Sequence, residues 1–560
     1  PGRTNPTVKL FVVSLTDLEN GGEAVSSSPV SPPANLTESD YYLTSVAWFD
    51  SSSFIAVWFN RVQNYSTYSL CSPQGAGTSG GNWSCEDNHV YSVSDGWIEI
   101  GKVYVGPDGE HYYTLLPDET RERNVQIVKI NRKSLQTEYV TSGRKDVTDI
   151  LRILPSGSDR TTIHYMATRE GAPGQRHYYS VEVATSRKSF FGSNKQQHQQ
   201  AKPPAYSGWP KEGMGRNSAG SSSSSSSVSF SEQCHTCDQL ELKQCLYNRV
   251  QLSRAASYYV HECLGPGIPY STLVERESEA DQQTSTSRRP WLNNDQLAAS
   301  LATKLMPTVR TEVFNTTEGY SLIVQMFMPP SFDENQIVKY PLLIQVYGGP
   351  GSQNVNENFK MNFGKYLASA KDIIYAYVDG RGSGYQGEAL KYQLYHKLGS
   401  AEIEDQILAA KYLRETHKWI NKDAIGIWGW SYGGYATAMI LAKDTDDPVF
   451  SCGISVAPVT SWLLYDSAYT ERYMGLPVPE KNQQSYFKSD VMHLANNFKG
   501  KKYLLIHGTA DDNVHVQNSM ALIKALNHAN VMFQTQIYPD ENHALPGVSL
   551  HLYTKMEAFW

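Results

Sequence analysis

Residues 427–435 constrain the fold of this chain more than any other stretch. Their core is Gly-x-Ser-x-Gly, from Gly429 to Gly433, with Ser431 at its centre. Apolar residues 424–428 precede the core, and a run of helix formers follows it. A strand, a sharp turn and a helix are the context in which a serine hydroxyl stands exposed above a sheet as a nucleophile. The stretch therefore predicts a buried strand of an α/β sheet that ends at a reactive serine.

An acidic residue and a histidine follow the serine in the chain order expected for such a sheet. The buried-strand pattern of residues 502–508 leads into a loop with Asp511, and the strand pattern 531–538 leads into the loop of His543. Taken singly, an acidic loop residue is usually solvated and a histidine is usually structural. Together they predict a triad in which Ser431 attacks a carbonyl, His543 takes its proton and Asp511 orients the imidazole.

The length and the patterns along the chain predict two parts. At 560 residues the chain exceeds what one core supports. Residues 1–300 carry short strand patterns between Gly, Pro, Asp and Ser, which indicates a sandwich, a barrel or a propeller. In residues 306–560 strands such as 322–328 and 342–347 alternate with helices such as 402–416, which predicts a mostly parallel sheet with helices on both faces. A short helix at 292–301 connects the parts.

One segment interrupts the first part. Residues 187–230 are rich in Gln and Ser and lack apolar periodicity, so they are expected to form an exposed insertion. A glycosylated or protease-sensitive tether is the alternative interpretation.

Composition excludes some classes of function. The formal net charge is -7 and no basic stripe stands out, which argues against a nucleic-acid partner. No apolar run approaches the roughly 18 residues that a membrane-spanning helix needs, so none is predicted in this chain. Neither a cofactor nor a metal is expected.

Cysteines and glycosylation sequons indicate the compartment. Four Asn-x-Ser/Thr sequons favour an extracellular location: Asn35, Asn64, Asn82 and Asn315. Cys71 and Cys85 flank a Gly/Ser-rich turn and can close a hairpin. The second cysteine cluster comprises Cys234, Cys237, Cys245 and Cys263. Its spacing fits a paired zinc knuckle poorly, so two disulfides are favoured over a four-thiolate zinc site.

Several segments resemble one family. Residues 379–384, 429–434, 456–459, 469–477 and 507–514 are similar to the dipeptidyl peptidase IV branch of the prolyl oligopeptidase family, which also contains fibroblast activation protein. The likeness is dense from about residue 306 onward and looser before it. It implies an α/β-hydrolase domain joined to a β-propeller, of which residues 1–300 would form about five blades of ~40–50 residues.

The resemblance also implies an activity and partners. Family members remove N-terminal dipeptides from peptides whose second residue is Pro or Ala. It further implies a homodimer that is secreted, or held at the cell surface by an anchor absent from this chain.

The same resemblance assigns further site residues. The backbone N–H of Tyr432, directly after the nucleophile, is one expected oxyanion donor, and the resemblance makes the Tyr347 hydroxyl the second, although a core tyrosine is the alternative. The residues matching the family's pocket for Pro are Tyr432, Val459, Trp462, Tyr465, Tyr469 and Val514. Such an aromatic cluster is otherwise usually core. Asn513 matches a residue that hydrogen-bonds the substrate carbonyl, and the family's disulfides correspond to Cys234–Cys237 and Cys245–Cys263.

The sequence departs from the family pattern in three places. No adjacent pair of Glu that could bind a substrate ammonium occurs in suitable surroundings before the hydrolase part, and residues 97–102 lack the Phe and Arg of the family's second subsite. The family partner of Cys452 would lie beyond Trp560. We therefore expect the C-terminal part of a longer protein, with an open propeller and weak or absent dipeptide release. An endopeptidase similar to fibroblast activation protein, and a non-catalytic receptor or channel-associated relative, remain the alternatives.

Overall fold

The computed structural model describes residues 1–13, 27–37, 40–74, 83–157, 159–184, 231–237, 245–276 and 287–560. The sequon at Asn82 and the predicted insertion at 187–230 lie outside these ranges. Among the described residues, no helix is both long enough and apolar enough to cross a membrane.

The first part of the chain is built from antiparallel sheets. Its strands are β1 Leu10–Val13, β2 Ser27–Val30, β3 Tyr41–Asp50, β4 Ser53–Asn60, β5 Tyr65–Pro73, β6 Trp83–Ser92, β7 Tyr104–Val105, β8 His111–Pro117, β9 Val125–Asn131, β10 Thr137–Tyr139, β11 Val147–Pro155, β12 Arg160–Arg169, β13 Ala172–Ala184, β14 Ser231–Cys234, β15 Cys245–Leu252, β16 Tyr258–Pro266, β17 Tyr270–Glu275 and β18 Arg288–Asn293. Each strand from β3 to β18 pairs with its neighbours in the chain within groups of four.

These four groups, β3–β6, β7–β10, β11–β14 and β15–β18, are blades of a β-propeller. The sequence pattern left three β architectures open, and the successive four-stranded meanders correspond to the propeller implied by the family resemblance. The strands β1 and β2 form a further antiparallel pair beside the first blade. The described residues thus contain four four-stranded blades and one two-stranded pair, where about five blades were expected.

The second part is one eight-stranded sheet with helices. Its strands are β19 Thr308–Asn315, β20 Ser321–Met328, β21 Tyr340–Gln345, β22 Ile374–Asp379, β23 Ile420–Trp430, β24 Cys452–Val456, β25 Lys502–Gly508 and β26 Gln534–Tyr538. Their order is β19-β20-β22-β21-β23-β24-β25-β26, parallel from β22 onward and antiparallel at β19 and β20. This is the predicted α/β-hydrolase architecture.

Nine α-helices accompany the strands among the described residues. They are α1 Asp295–Ala302, α2 Phe363–Lys371, α3 Glu388–Lys391, α4 Ala401–Thr416, α5 Tyr432–Lys443, α6 Ser467–Met474, α7 Gln483–Lys488, α8 Gln517–His528 and α9 Ser549–Phe559. Short 3-10 helices lie at Ala34–Leu36, Tyr392–Leu394, Trp462–Leu464, Val491–Phe498 and Pro546–Val548.

Three element boundaries differ from the sequence predictions. The helix expected at 292–301 begins at Asp295, because Leu292 and Asn293 pair with β17 as the end of β18. The strand expected at 531–538 begins at Gln534. The strand expected at 342–347 ends at Gln345, where its parallel pairing with β23 ends, so Tyr347 lies just beyond the sheet.

The two parts share apolar and ionic contacts. The propeller's Trp97 is fully buried, and its ring meets that of Tyr473 edge-on at a centroid distance of 4.8 Å. The guanidinium of Arg61 donates to both carboxylate oxygens of Glu471, at 2.7 and 2.8 Å. Both Glu471 and Tyr473 lie on α6. The propeller therefore packs directly against the helix that carries Tyr469.

Six of the seven cysteines form disulfides in the structure: Cys71–Cys85, Cys234–Cys237 and Cys245–Cys263. The zinc alternative for the second cluster is therefore wrong, because no thiolate of the four is free to bind a metal. Cys452 is free among the described residues and partly buried. Of the described sequons, Asn35 and Asn315 are exposed and Asn64 is partly buried.

Candidate active site

The sharp turn at Ser431 joins the central strand to a buried helix. The strand β23 ends at Trp430, and α5 begins at Tyr432. Between them Ser431 has φ 62° and ψ −118°, a left-handed backbone region in which a non-glycine residue is strained by roughly 1–3 kcal/mol. Two hydrogen bonds hold this conformation: the Ser431 N–H donates to the carbonyl of Val456 at 2.9 Å, and the Ser431 carbonyl accepts from the N–H of Tyr435 at 3.1 Å. Ser431 is therefore held above the sheet, at the C-terminal ends of the parallel strands.

The flanking glycines are required by close packing. A Cβ at Gly433 would overlap the carbonyl oxygen of Val346, and a Cβ at Gly429 would overlap the backbone of Gly433. Helix α5 therefore passes directly over the strand end that precedes Tyr347. The Gly-x-Ser-x-Gly spacing is explained by this approach of helix and strand.

Asp511 and His543 meet at the same edge. The Asp511 carboxylate lies 2.7 Å from Nδ1 of His543, and its side chain is fully buried, whereas that of His543 is 21% exposed. Asp511 also accepts hydrogen bonds from the backbone N–H groups of Asn513 and Val514, at 3.0 and 2.9 Å. Burial alone would raise the pKa of Asp511, but hydrogen bonds from His507 and His543 lower it well below its usual range. The carboxylate is therefore ionised and fixed in position.

His507 is a supporting residue to which the sequence analysis assigned no role. It is fully buried, and its Nε2 lies 3.1 Å from Asp511 Oδ2 and 2.7 Å from the carbonyl oxygen of Val514. Because both neighbours are acceptors, Nε2 carries the proton and donates. Its position four residues before Asp511, at the end of a buried strand, was the available signal.

Trp430 is a second residue that was missed. Its indole N–H donates to the carbonyl of His543 at 2.9 Å. The residue directly before Ser431 therefore holds the loop of the histidine. The three predicted catalytic residues lie at one sheet edge, directly after β23 and in the loops after β25 and β26.

The two predicted oxyanion donors also lie together. Tyr432 is the first residue of α5, so its N–H has no partner within the helix. Tyr347 is 39% exposed, and its ring centroid lies 6.0 Å from that of Tyr432. The Tyr432 hydroxyl donates to the buried carboxylate of Glu402 at 2.8 Å, which fixes the start of the helix. Glu402 was not identified from the sequence, since a Glu in a first helical turn usually faces solvent.

The residues of the predicted Pro pocket form one aromatic cluster. Trp462 stacks on Tyr469 at 6.0 Å and lies 5.4 Å from Tyr432, while Tyr465 meets Tyr469 edge-on at 5.3 Å. Val459 and Val514 are buried in the same apolar core. Burial raises the pKa of Tyr465 to about 12, so its hydroxyl stays protonated and donates to Asn513 Oδ1 at 2.7 Å. This cluster can enclose a small, rigid apolar ring.

No metal is needed for the chemistry of these groups. A strained serine, a histidine with its aspartate, and two donors beside them can carry out acyl transfer. Elsewhere, among the residues that the structure describes, His177, Cys234 and Cys237 place ligand atoms within 4.8 Å of one another. The two cysteines are joined in a disulfide, so this group does not hold a metal in the observed state.

Two family models match the chain. The prolyl oligopeptidase family matches residues 359–560, and the dipeptidyl peptidase IV N-terminal region matches residues 1–206. The first match covers the serine turn and the loops of Asp511 and His543, and the second covers the first blades.

Curated relatives match along the whole chain. Venom dipeptidyl peptidase 4 of Apis mellifera is 34% identical over 570 residues, which are 100% of this chain and 64% of the relative. Dipeptidyl peptidase 4 of Felis catus is 35% identical over 568 residues, and prolyl endopeptidase FAP of Homo sapiens is 35% identical over 567; the chain covers 65% of each. The chain thus spans slightly less than two thirds of the length of these relatives.

A solved structure shows the same arrangement. The crystal structure of dipeptidyl peptidase 4 from Porphyromonas gingivalis superposes with a TM-score of 0.75 at 25% identity, covering 99% of this chain and 66% of the other. With its propeller, its hydrolase sheet and these matches, the chain belongs to the dipeptidyl peptidase IV branch of the prolyl oligopeptidase family.

Proposed function

We propose that this protein is a serine exopeptidase that releases N-terminal X-Pro or X-Ala dipeptides from peptides. The observation that carries the proposal is the strained Ser431 turn, which is tied through Trp430 to the loop of an Asp511-bound His543. The Ser431 turn, the Asp511 loop and the His543 loop all lie at one edge of the sheet. Packing of the hydrophobic core would not require these three segments to meet.

The reaction follows from the roles of these groups. The Ser431 hydroxyl attacks the peptide carbonyl while His543 takes its proton and Asp511 stabilises the resulting imidazolium. The Tyr432 N–H and the Tyr347 hydroxyl stabilise the negative charge on the tetrahedral oxygen. His543 then returns the proton to the leaving amine, and water hydrolyses the acyl-enzyme by the same steps.

Specificity follows from the aromatic cluster. A pyrrolidine ring is rigid and offers no donor, so it suits the enclosure by Trp462, Tyr465 and Tyr469. Asn513, oriented by the Tyr465 hydroxyl, is the proposed partner of the substrate carbonyl. Dipeptidyl peptidase 4 of Felis catus and prolyl endopeptidase FAP of Homo sapiens have the same sequence identity to the chain, 35%. An endopeptidase is therefore the second candidate.

Two experiments test the proposal. A fluorophosphonate should label the purified protein, and Ser431→Ala should remove the label without changing the circular dichroism spectrum. An unlabelled wild-type protein would instead support a non-catalytic relative. Gly-Pro and N-blocked Gly-Pro reporters then separate the two peptidase classes: the exopeptidase cleaves only the free-amine reporter, whereas preference for the blocked reporter would support the endopeptidase.

The organisation of the protein is part of the proposal. Residues 1–300 would form the propeller part and residues 306–560 the catalytic domain. Three disulfides and the sequons at Asn35, Asn64 and Asn315 support an extracellular location for the protein, because disulfides persist outside the cell. A homodimer is the expected assembly, and sedimentation of the purified protein would test it.

A further inference from the structure

A cavity lies between the propeller and the hydrolase part, apart from the triad. Its volume is about 340 Å³, and its lining includes Glu99 and Asp146 from the propeller and Glu388, Lys391 and Tyr392 from the hydrolase part. Glu388 and Lys391 are each only 5% exposed. Titratable groups this deeply buried normally have every polar atom paired.

One polar atom in this cavity has no pair. Lys391 Nζ lies 2.7 Å from Glu388 Oε1 and 2.8 Å from Glu99 Oε1, so one ammonium serves two carboxylates. Glu388 Oε2 is buried and has no hydrogen-bond partner among the described residues. The hydroxyl of the neighbouring Tyr392, which lies close to Glu388, donates its single proton to the carbonyl of Trp97 at 2.7 Å.

The surrounding charges leave an excess of negative charge. Asp146 is already held by Asn124, by the N–H of Val125 and by the N–H of Gly387. Three arginines near the lining are engaged elsewhere: Arg123 pairs with Asp95, Arg472 donates to Gln63, and Arg176 donates to Gln353 and lies over the ring of Tyr385. The lining thus carries three carboxylates and one ammonium. Burial, opposed by Lys391, raises the pKa of Glu388, as expected where cationic partners are too few.

The cavity adjoins the proposed Pro pocket. Tyr473 lines the cavity, and its ring lies 4.7 Å from that of Tyr469, a wall of the pocket. Pro350, another lining residue, follows Tyr347 by three positions. The rings of Tyr473 and Tyr469 therefore lie between the cavity and the place where the proline ring would sit.

We propose that this cavity is a subsite for a cationic side chain of the peptide substrate, the lysine or arginine that precedes the proline. The inference rests on the proposed function, because it assigns a substrate residue to a cavity next to that site. An ammonium or guanidinium would donate to Glu388 Oε2, beside the rings of Tyr392 and Tyr473, over which Lys391 and Arg472 already lie. A neutral side chain would leave the buried oxygen without a donor.

Binding of small probes tests the cavity without requiring turnover. We expect n-butylguanidinium to bind the wild-type protein at least tenfold more tightly than its neutral isostere n-butylurea in calorimetric titrations. Glu388→Gln should abolish this preference, while Glu480→Gln, on an exposed loop, should keep it. Equal binding of the two probes, or an unchanged preference in Glu388→Gln, would overturn the proposal. If Glu388→Gln does not fold, Glu99→Gln, at a half-exposed position, replaces it. This variant should likewise lose the preference for n-butylguanidinium over n-butylurea, and an unchanged preference would overturn the proposal.

Reporter peptides test the substrate assignment. The ratio of kcat/KM for Arg-Pro over citrulline-Pro reporters should be about tenfold or more in the wild type and fall towards one in Glu388→Gln. A ratio near one in the wild type would reject the subsite while Gly-Pro turnover leaves the proposed function standing. Absence of both fluorophosphonate labelling and turnover of every reporter would reject the proposed function, and the probe titrations would still decide the cavity.

Discussion

The indole N–H of Trp430 donates a hydrogen bond to the backbone carbonyl of His543, with 2.9 Å between the nitrogen and the oxygen. Trp430 is the last residue of β23 and directly precedes Ser431. This hydrogen bond joins the serine turn to the histidine loop, although Ser431 and His543 are 112 positions apart in the chain. It involves neither the Ser431 hydroxyl nor the His543 imidazole. Trp430 is therefore a positioning residue for the proposed triad.

Trp430→Phe keeps an aromatic ring but removes this donor. A net hydrogen bond of about 1 kcal/mol corresponds to a roughly fivefold effect, so we expect the rate of fluorophosphonate labelling of Ser431 to fall about five- to tenfold. Trp291→Phe, at a tryptophan that is 67% exposed, is the matched control and should label at the wild-type rate. An unchanged rate in Trp430→Phe would show that the contact does not position His543.

Gly433→Ala tests the close approach of helix and strand. Because the added Cβ would overlap the carbonyl oxygen of Val346, α5 must shift away from the sheet, at a cost of about 1–3 kcal/mol in the free energy of unfolding. Labelling of Ser431 should be lost. At Gly267 a Cβ meets no atom within 4 Å, so Gly267→Ala should leave both the urea midpoint and the labelling unchanged. Normal labelling in Gly433→Ala would contradict the packing argument.

Much of this site could be predicted because its residues follow local rules. The apolar run before Gly429 and the helix formers after Gly433 predicted a strand, a turn and a helix, and the structure has β23 and α5 there. Asp511 follows the buried strand β25 and His543 follows the edge strand β26, and parallel strands end at the same sheet edge. Chain order and strand ends were therefore sufficient to place these loops together.

Residues that act across the fold carried no such signal. His507 and Glu402 look like ordinary strand and helix residues, and only packing brings their side chains to Asp511 and Tyr432. The helix expected at 292–301 was placed too early for a related reason. Its first residues pair with β17, a contact that periodicity within the segment does not contain.

Tyr347→Phe tests the second oxyanion donor. If its hydroxyl stabilises the tetrahedral oxygen, kcat for a Gly-Pro reporter should fall about 10²–10³-fold with little change in KM, because the bond matters only in the transition state. Tyr366→Phe also removes the hydroxyl of a half-exposed tyrosine, one that donates to Glu557, and should leave kcat unchanged. A Tyr347→Phe enzyme with wild-type kcat would assign the tyrosine to the pocket wall alone.

Buried histidines of the propeller predict a loss of stability in acid. Burial, helped by Arg276, lowers the pKa of His164 to about 3, and burial, helped by Arg288, lowers that of His261 to about 4. The unfolded chain, with a histidine pKa near 6.5, therefore binds more protons than the native state below that pH. The free energy of unfolding should fall as the pH drops from about 6.5 towards 4, by about 2 kcal/mol per histidine at pH 5.

The difference between urea unfolding at pH 7.5 and at pH 5 measures this effect. Each of His164→Gln and His261→Gln should reduce that difference by about 2 kcal/mol, whatever the substitution costs at pH 7.5, because the titrating group is gone. His528→Gln, at an exposed position, should leave the difference unchanged. If both buried variants keep the wild-type pH dependence, these two histidines are not what makes the native state sensitive to acid.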